Sequence, residues 1–392
     1  IRLQMRGFIS SSIATVLCLL PLAASEAEQS PSDLGLSVNS QGTLIRHGVP
    51  YRGIGVNYYD AFLRTLRHPN DDSYKEGFAQ LGAHGIPFAR MAACGYTGED
   101  LQLYLTDKDA YFRRLDGVIQ AAEKSKVGLI ATLFWRIAAV SEAMHEPRAS
   151  WGDANSATRR FMREYTHDVV SRYANSDAIW GWEFSCELSL PVDRRPGEVN
   201  PDRALSFATF ESAATDFARV VRTIDPHRIV TTGNSLPRPS AYHNARGGRA
   251  VPDTEEEFAR ILLRDNPDPF SPISIHAAPA GVDHYFADHK VSYLELLQTC
   301  SRIGAQVGKP VYLEEFVPVP GKSSAFADVN QRNYFTQELA AIEASNIPIA
   351  SIWVYDRKLV SDRSNVTFAN ERSYMLQMIA DFDRTVRKEA SN

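Results

Sequence analysis

Short apolar runs and longer amphipathic stretches alternate along most of this chain. The runs fall at 51–56, 86–91, 128–134, 179–184, 228–232, 273–276, 310–313 and 349–354. Amphipathic stretches follow near 71–81, 108–123, 154–173, 202–224, 254–264, 290–307, 328–344 and 372–388. In the third stretch Phe161, Tyr165 and Val169 recur at helical spacing, with Val170 and Tyr173 beside them. Strands alternating with helices predict a parallel sheet. Eight such units predict a closed (β/α)8 TIM barrel. Ahead of the first unit, residues 43–52 predict a short N-terminal β-hairpin around a Gly-containing turn.

Loop lengths give a second, independent signal. Helix-to-strand links are short, as in Gly82-Ala83-His84-Gly85, Lys124-Ser125-Lys126 and Gly308-Lys309. Most strand-to-helix links are long, roughly 92–107, 135–153, 188–201, 233–253, 277–289, 316–327 and 355–371. Long connections inside a compact fold tend to carry function. The asymmetry places the elaborated face at the C-terminal ends of the strands, the active face of barrels of this kind. An open doubly wound sheet is the alternative. It would be favoured by a phosphate-binding glycine loop, but Gly53-Ile54-Gly55-Val56-Asn57-Tyr58 lacks the third glycine.

Composition narrows the partners. The chain has 392 residues, 44% hydrophobic and 23% charged, enough for one large core. A net charge of −5 with both signs interspersed argues against nucleic acid or an anionic membrane as partner. Met5-Arg6, the apolar run 13–20, Pro21 and small residues up to Ala27 read as a secretory signal peptide, too short to span a bilayer. Residues 1–27 are thus assigned to the signal and upstream residues, 28–40 to a loose polar leader, and 41–392 to a single barrel, expected as a secreted monomer. Three cysteines remain, Cys94, Cys186 and Cys300, so at most one disulfide is available. No clustered His/Cys metal spacing and no Gly-x-Ser-x-Gly elbow occur, and neither metal nor cofactor is expected.

Two carboxylates stand out. Glu187 follows the fourth predicted strand and Glu315 the seventh, so both would face one mouth. A charge beside the end of an apolar strand is costly unless it is paired or used. Two such groups can separate into an acid and an ionised nucleophile. A gap of roughly 5–5.5 Å suits double displacement at a sugar carbon, and a wider one suits inversion through water. From spacing alone, two unrelated strand-end salt bridges are equally open.

Motifs around these residues resemble those of retaining β-glycanases of the cellulase and β-mannanase type, glycoside hydrolase family 5 and its clan. Lys309-Pro310-Val311-Tyr312-Leu313-Glu314-Glu315-Phe316 resembles the seventh-strand motif, which implies Glu315 as nucleophile, with Glu314 the less favoured neighbour. Gly181-Trp182-Glu183-Phe184-Ser185-Cys186-Glu187 resembles the fourth-strand motif, which implies Glu187 as acid/base. The resemblance further implies Arg90 as support for the nucleophile, His276 as a residue lining the site and Trp353 as a platform for the reacting sugar. Trp135, Trp151, Tyr242, His243, Tyr285 and Tyr355 in the long loops are candidates for a sugar cleft. Asn57 and Asn234 are candidates for bonds to hydroxyls, or for turns.

Two positions depart from the family pattern. Cys186 stands where the family has an asparagine that contacts the sugar 2-hydroxyl, and a thiol is a poor substitute donor. Ala278 stands where an aromatic residue, often tyrosine, bonds the nucleophile; Tyr285 is the nearest replacement in that loop. The implied function is cleavage of β-glycosidic bonds in a β-glucan or β-mannan. The alternatives are a non-catalytic carbohydrate-binding barrel, and a thiol enzyme using Cys186.

Overall fold

The computed structural model describes residues 34–194, 205–317, 328–359 and 364–389. The expected signal peptide, 1–27, lies outside them. Eight strands form one sheet: β4 (Gly53–Asn57), β5 (Phe88–Ala92), β6 (Gly128–Phe134), β7 (Ile179–Ser185), β8 (Ile229–Thr231), β9 (Ile273–Ala277), β10 (Val311–Phe316) and β11 (Ile349–Ile352). Their order is β8-β7-β6-β5-β4-β11-β10-β9, with every neighbouring pair parallel. The ends of that order meet at Val230 and Ser271, which exchange backbone hydrogen bonds of 2.9 and 3.3 Å. The sheet is therefore an almost closed barrel, as the alternation predicts. Its strands are buried on both faces, so they read as continuous apolar runs rather than as alternating ones.

Among the described residues, eight longer helices wrap the barrel: α1 (Tyr74–His84), α2 (Lys108–Ser125), α3 (Ala157–Tyr173), α4 (Phe207–Ile224), α5 (Glu255–Arg264), α6 (Tyr293–Gln306), α7 (Asp328–Ala344) and α8 (Ser373–Glu389). Side-chain caps start several of them: Asp107, Ser156, Ser206, Thr254 and Ser292 accept from backbone N–H groups of the first turn. The stripe Phe161, Tyr165, Val169, Val170 and Tyr173 on α3 is buried against the barrel. Across α3 and α4, Asp216 accepts from Arg159, Arg163 and Arg219.

The hairpin forms as expected, from β2 (Leu44–Arg46) and β3 (Val49–Pro50). His47 and Gly48 take φ of 51° and 76°, the left-handed pair that a tight hairpin turn needs. The loose leader is corrected in its described part. Residues Ser37–Val38 add a third strand, β1, and Leu36 is fully buried. Leu36 donates to the Trp180 carbonyl at 2.9 Å and accepts from Ile229 N–H at 2.8 Å. With Leu44, Phe88, Ile130, Trp180, Tyr312 and Ile349 it plugs the barrel floor. An apolar residue that finds such a seat outweighs the polar character of its neighbours.

One irregularity shapes the site. The register of β10 shifts between Leu313 and Glu315 against β9, and between Leu313 and Phe316 against β11. Strict alternation would turn Glu314 and Glu315 to opposite faces. The bulge brings both into the barrel mouth, a common use of such a feature beside a site.

Candidate active site

Arg90 on β5 is the hub. It is fully buried, and its guanidinium reaches three carboxylate or amide groups. Nε and Nη2 donate to both oxygens of Glu183 at 2.8 Å each. Nη1 donates to Asn57 at 2.9 Å and to Glu315 at 2.6 Å. The ring of Trp135 lies 4.3 Å from the guanidinium carbon. A planar fork with five donors satisfies this set where an ammonium could not. Burial works against the charge on Arg90, but the facing carboxylates, Glu183 first, hold its pKa well above the ordinary value.

Glu183 was not singled out from sequence. It lies at an inward position of β7, also bonded by Thr132 at 2.6 Å. Burial pushes its carboxyl up to about 7 against the pull of Arg90. Its signal was present: a carboxylate inside a buried strand, two residues from the strand's end, needs a cation.

Glu187 owes its position to backbone geometry. Its φ is 56°, left-handed and unusual for glutamate. Its N–H donates to the Gly233 carbonyl at 2.7 Å. Gly233 itself has a φ of 74°, and a Cβ there would lie 1.7 Å from the Ser185 carbonyl oxygen. Only glycine allows that approach. The loop after β8 thereby fixes the residue at the end of β7.

His276 on β9 joins the carboxylates. Its Nδ1 lies 3.2 Å from Glu187 Oε1 and 3.6 Å from Glu315 Oε2. Both carboxylates thus approach one imidazole nitrogen. His276 Nε2 faces Glu314 Oε2 at 3.4 Å, and Ser274 donates to the other Glu314 oxygen at 2.8 Å. Burial alone would lower the His276 pKa, but Glu315, Glu187 and Glu314 raise it to about 10. Burial likewise pushes Glu187 up, yet the His276 hydrogen bond and charge outweigh it and leave the net shift downward.

Cys186 fills the place of the expected asparagine and donates to Glu315 Oε1 at 3.7 Å. Burial and the charge on Glu315 raise its thiol pKa well above the ordinary value. That opposes the thiolate a Cys186 nucleophile would need. All three described cysteines are free thiols.

Aromatic rings cluster beside these groups. Trp135 and Trp353 lie 6.1 Å apart at 31°, with Tyr59 4.8 Å from Trp135 and 6.0 Å from Trp353. Trp353 keeps a partly exposed face.

Several expectations are corrected. Asn57 is fully buried and donates to the Glu314 carbonyl at 2.8 Å while accepting from Arg90, so it braces the guanidinium rather than a sugar. Asn234 is also fully buried; it donates to the Asp265 carbonyl at 2.7 Å and accepts from Ser189 N–H at 3.0 Å. Tyr285 donates to the Pro237 carbonyl and packs against Phe258 and Phe286, so it does not replace the phenol lost at Ala278. Trp151 is sealed against Phe134 and Phe184, and Tyr355 is buried with its hydroxyl on the Gly77 carbonyl. Just past a strand end, an amide satisfies neighbouring backbone as readily as a ligand, and sequence does not separate the two.

No protein-family model matches the chain. Mannan endo-1,4-beta-mannosidase A of Hypocrea jecorina is 31% identical over 126 residues, which is 31% of this chain and 26% of that protein. The chain thus spans about a quarter of that curated relative. The endo-1,4-beta-mannanase structure from Rhizomucor miehei superposes with a TM-score of 0.65 at 16% identity, covering 90% of this chain and 99% of that one. A glycoside hydrolase family 5 mannosidase from the same organism gives 0.60 at 13% identity, covering 92% and 100%. The fold is that of the family 5 glycoside hydrolases. Among the described residues, no helix is long and apolar enough to cross a membrane.

Proposed function

We propose that this chain is a retaining glycoside hydrolase that cleaves β-linked mannan, working outside the cell after removal of residues 1–27. The observation that carries the reading is the convergence of Glu187 and Glu315 on one nitrogen of His276, beside a partly exposed tryptophan. A mannosidase relative and barrel neighbours acting on β-1,4-mannan favour mannan over glucan.

Glu315 is the nucleophile. Arg90 and Cys186 both donate to Oε1 of Glu315 and aim it. That carboxylate attacks the anomeric carbon as the glycosidic C–O bond breaks. The departing oxygen takes a proton from Glu187. In the free site His276 Nδ1 holds that proton 3.2 Å from Glu187 Oε1, and transfer along the contact converts an imidazolium–carboxylate pair into imidazole and carboxylic acid. In the second half, Glu187 removes a proton from water, the water oxygen bonds to the anomeric carbon, and the ester to Glu315 breaks. Two inversions restore the starting configuration. Trp353 presents an apolar face to the apolar face of the pyranose ring.

Glu315→Gln tests the assignment. Turnover on β-mannan is expected to fall at least about a thousandfold with the circular dichroism spectrum unchanged. Retained turnover would remove Glu315 from the role. Proton NMR of the first product should show the β-anomer; early α-anomer would rule out double displacement.

A further inference from the structure

The departure at Cys186 does more than remove an amide. It places a thiol, an imidazole and a carboxylate around one point. Ligand atoms of Cys186, His276 and Glu315 all lie within 4.8 Å of one another. Sγ and Glu315 Oε1 are 3.7 Å apart, and His276 Nδ1 and Glu315 Oε2 are 3.6 Å apart. Glu187 Oε1 stands 3.2 Å from the same nitrogen. Around a tetrahedral zinc ion with one sulfur ligand, neighbouring ligand atoms sit roughly 3.3–3.5 Å apart, given bonds of about 2.3 Å to sulfur and about 2.0 Å to nitrogen or oxygen, so small side-chain shifts would close the set. We infer that Cys186, His276 and Glu315 form a binding site for a thiophilic divalent cation of the Zn²⁺ class. We further infer that the bound cation shuts the hydrolytic site. This second half rests on the proposed function; the binding site does not.

The surroundings suit a cation. Four carboxylates, Glu183, Glu187, Glu314 and Glu315, face one guanidinium and one imidazole. Even with the imidazole protonated the cluster holds an excess of negative charge. A divalent ion that displaces the protons of the thiol and the imidazole replaces like with like in charge. The outer partners of a metal-bound histidine are already built. His276 turns Nε2 to Glu314, which Ser274 fixes from its other side. A carboxylate behind the imidazole is the usual way such a ligand is oriented. Sulfur selects zinc, cadmium or cobalt over magnesium and calcium. The other grouping of this kind among the described residues, His243, Asp253 and Glu257, has its acids engaged. Asp253 accepts two backbone N–H groups, and Glu257 caps α5.

Co²⁺ is the probe. The reduced full chain is titrated with Co²⁺ while near-ultraviolet absorption is followed. One equivalent should produce a thiolate-to-cobalt band, and Zn²⁺ should bleach it. Cys186→Ser should lose the band and weaken Zn²⁺ binding, measured against a chromogenic chelator, by more than about 100-fold. Glu315→Gln provides a second ligand test and should weaken it at least about 10-fold. Cys300→Ser should keep the band. A band that survives Cys186→Ser, or wild-type binding no tighter than millimolar, overturns the site. Zn²⁺ is then added to β-mannan hydrolysis by the wild type. Loss of activity, restored by chelator, is expected. Full activity at saturating Zn²⁺ overturns the shut-off. Cobalt binding by a chain that hydrolyses no glycan overturns the hydrolase reading and leaves the cation site standing.

Discussion

Replacing Arg90 with lysine keeps the charge and removes the fork. The guanidinium makes four short contacts: two to Glu183, one to Asn57 and one to Glu315. A lysine has a single nitrogen and cannot span Glu183 and Glu315 together. Glu183 is fully buried, so if it is the carboxylate abandoned it stays dry and poorly paired. A hydrogen bond to a charged group contributes about 1.5–3 kcal/mol, and breaking a buried pair costs about 3–5 kcal/mol. Because lysine rescues part of the interaction, Arg90→Lys should destabilise the barrel by about 3 kcal/mol, and Arg90→Met by more. The catalytic consequence is separate. Without Nη1, Glu315 loses the contact that aims its oxygen, and a displacement of about 1 Å costs on the order of 100-fold in rate. Urea unfolding followed by tryptophan fluorescence reads the first effect. Steady-state hydrolysis of a soluble mannan reads the second, with kcat falling about 100-fold and KM changing less than about threefold. A lysine variant within about 1 kcal/mol of wild type, with kcat retained, would refute the account of Arg90 as the hub.

Two further outcomes follow from particular contacts. Gly233→Ala places a methyl group 1.7 Å from the Ser185 carbonyl oxygen in a left-handed backbone, so the loop must move and take Glu187 with it. Turnover should fall on the order of 100-fold while the helical circular dichroism signal persists; an alanine variant of full activity would sink that positioning role. Asp216 has its pKa lowered to about 2, because hydrogen bonds from Arg219, Arg163 and Arg159 outweigh burial. A carboxylate with a depressed folded-state pKa contributes stability above its unfolded value, and that contribution is lost as pH falls from about 4 to about 2. Allowing for solvent screening of Arg163 and Arg219, Asp216→Asn should cost about 1–2 kcal/mol at pH 7. In urea unfolding the gap to wild type should close as pH falls toward 2; a gap independent of pH would contradict the linkage.

Sequence alone determined the architecture. Eight apolar runs alternating with amphipathic stretches leave few options once each strand must be buried on both faces, and the long loops marked the working end. It also put Glu187 and Glu315 at that end, because a charge beside an apolar strand needs a reason. Tertiary structure decided what surrounds them. Glu183 and Glu314 enter the site only because Arg90 and His276, on other strands, meet them across the barrel. The β10 bulge breaks the period of two, and nothing local in Leu313-Glu314-Glu315 announces it. Asn57, Asn234 and Tyr285 have side chains that suit a sugar or a carbonyl equally, and the packed barrel offered them carbonyls. Cys186 shows the division most clearly. In sequence it is a lost amide and one unpaired cysteine among three; in space it stands beside His276 and Glu315, residues 90 and 129 positions away. Spacing along a chain reveals a ligand set only when its members share one element, and a barrel draws its site from all eight.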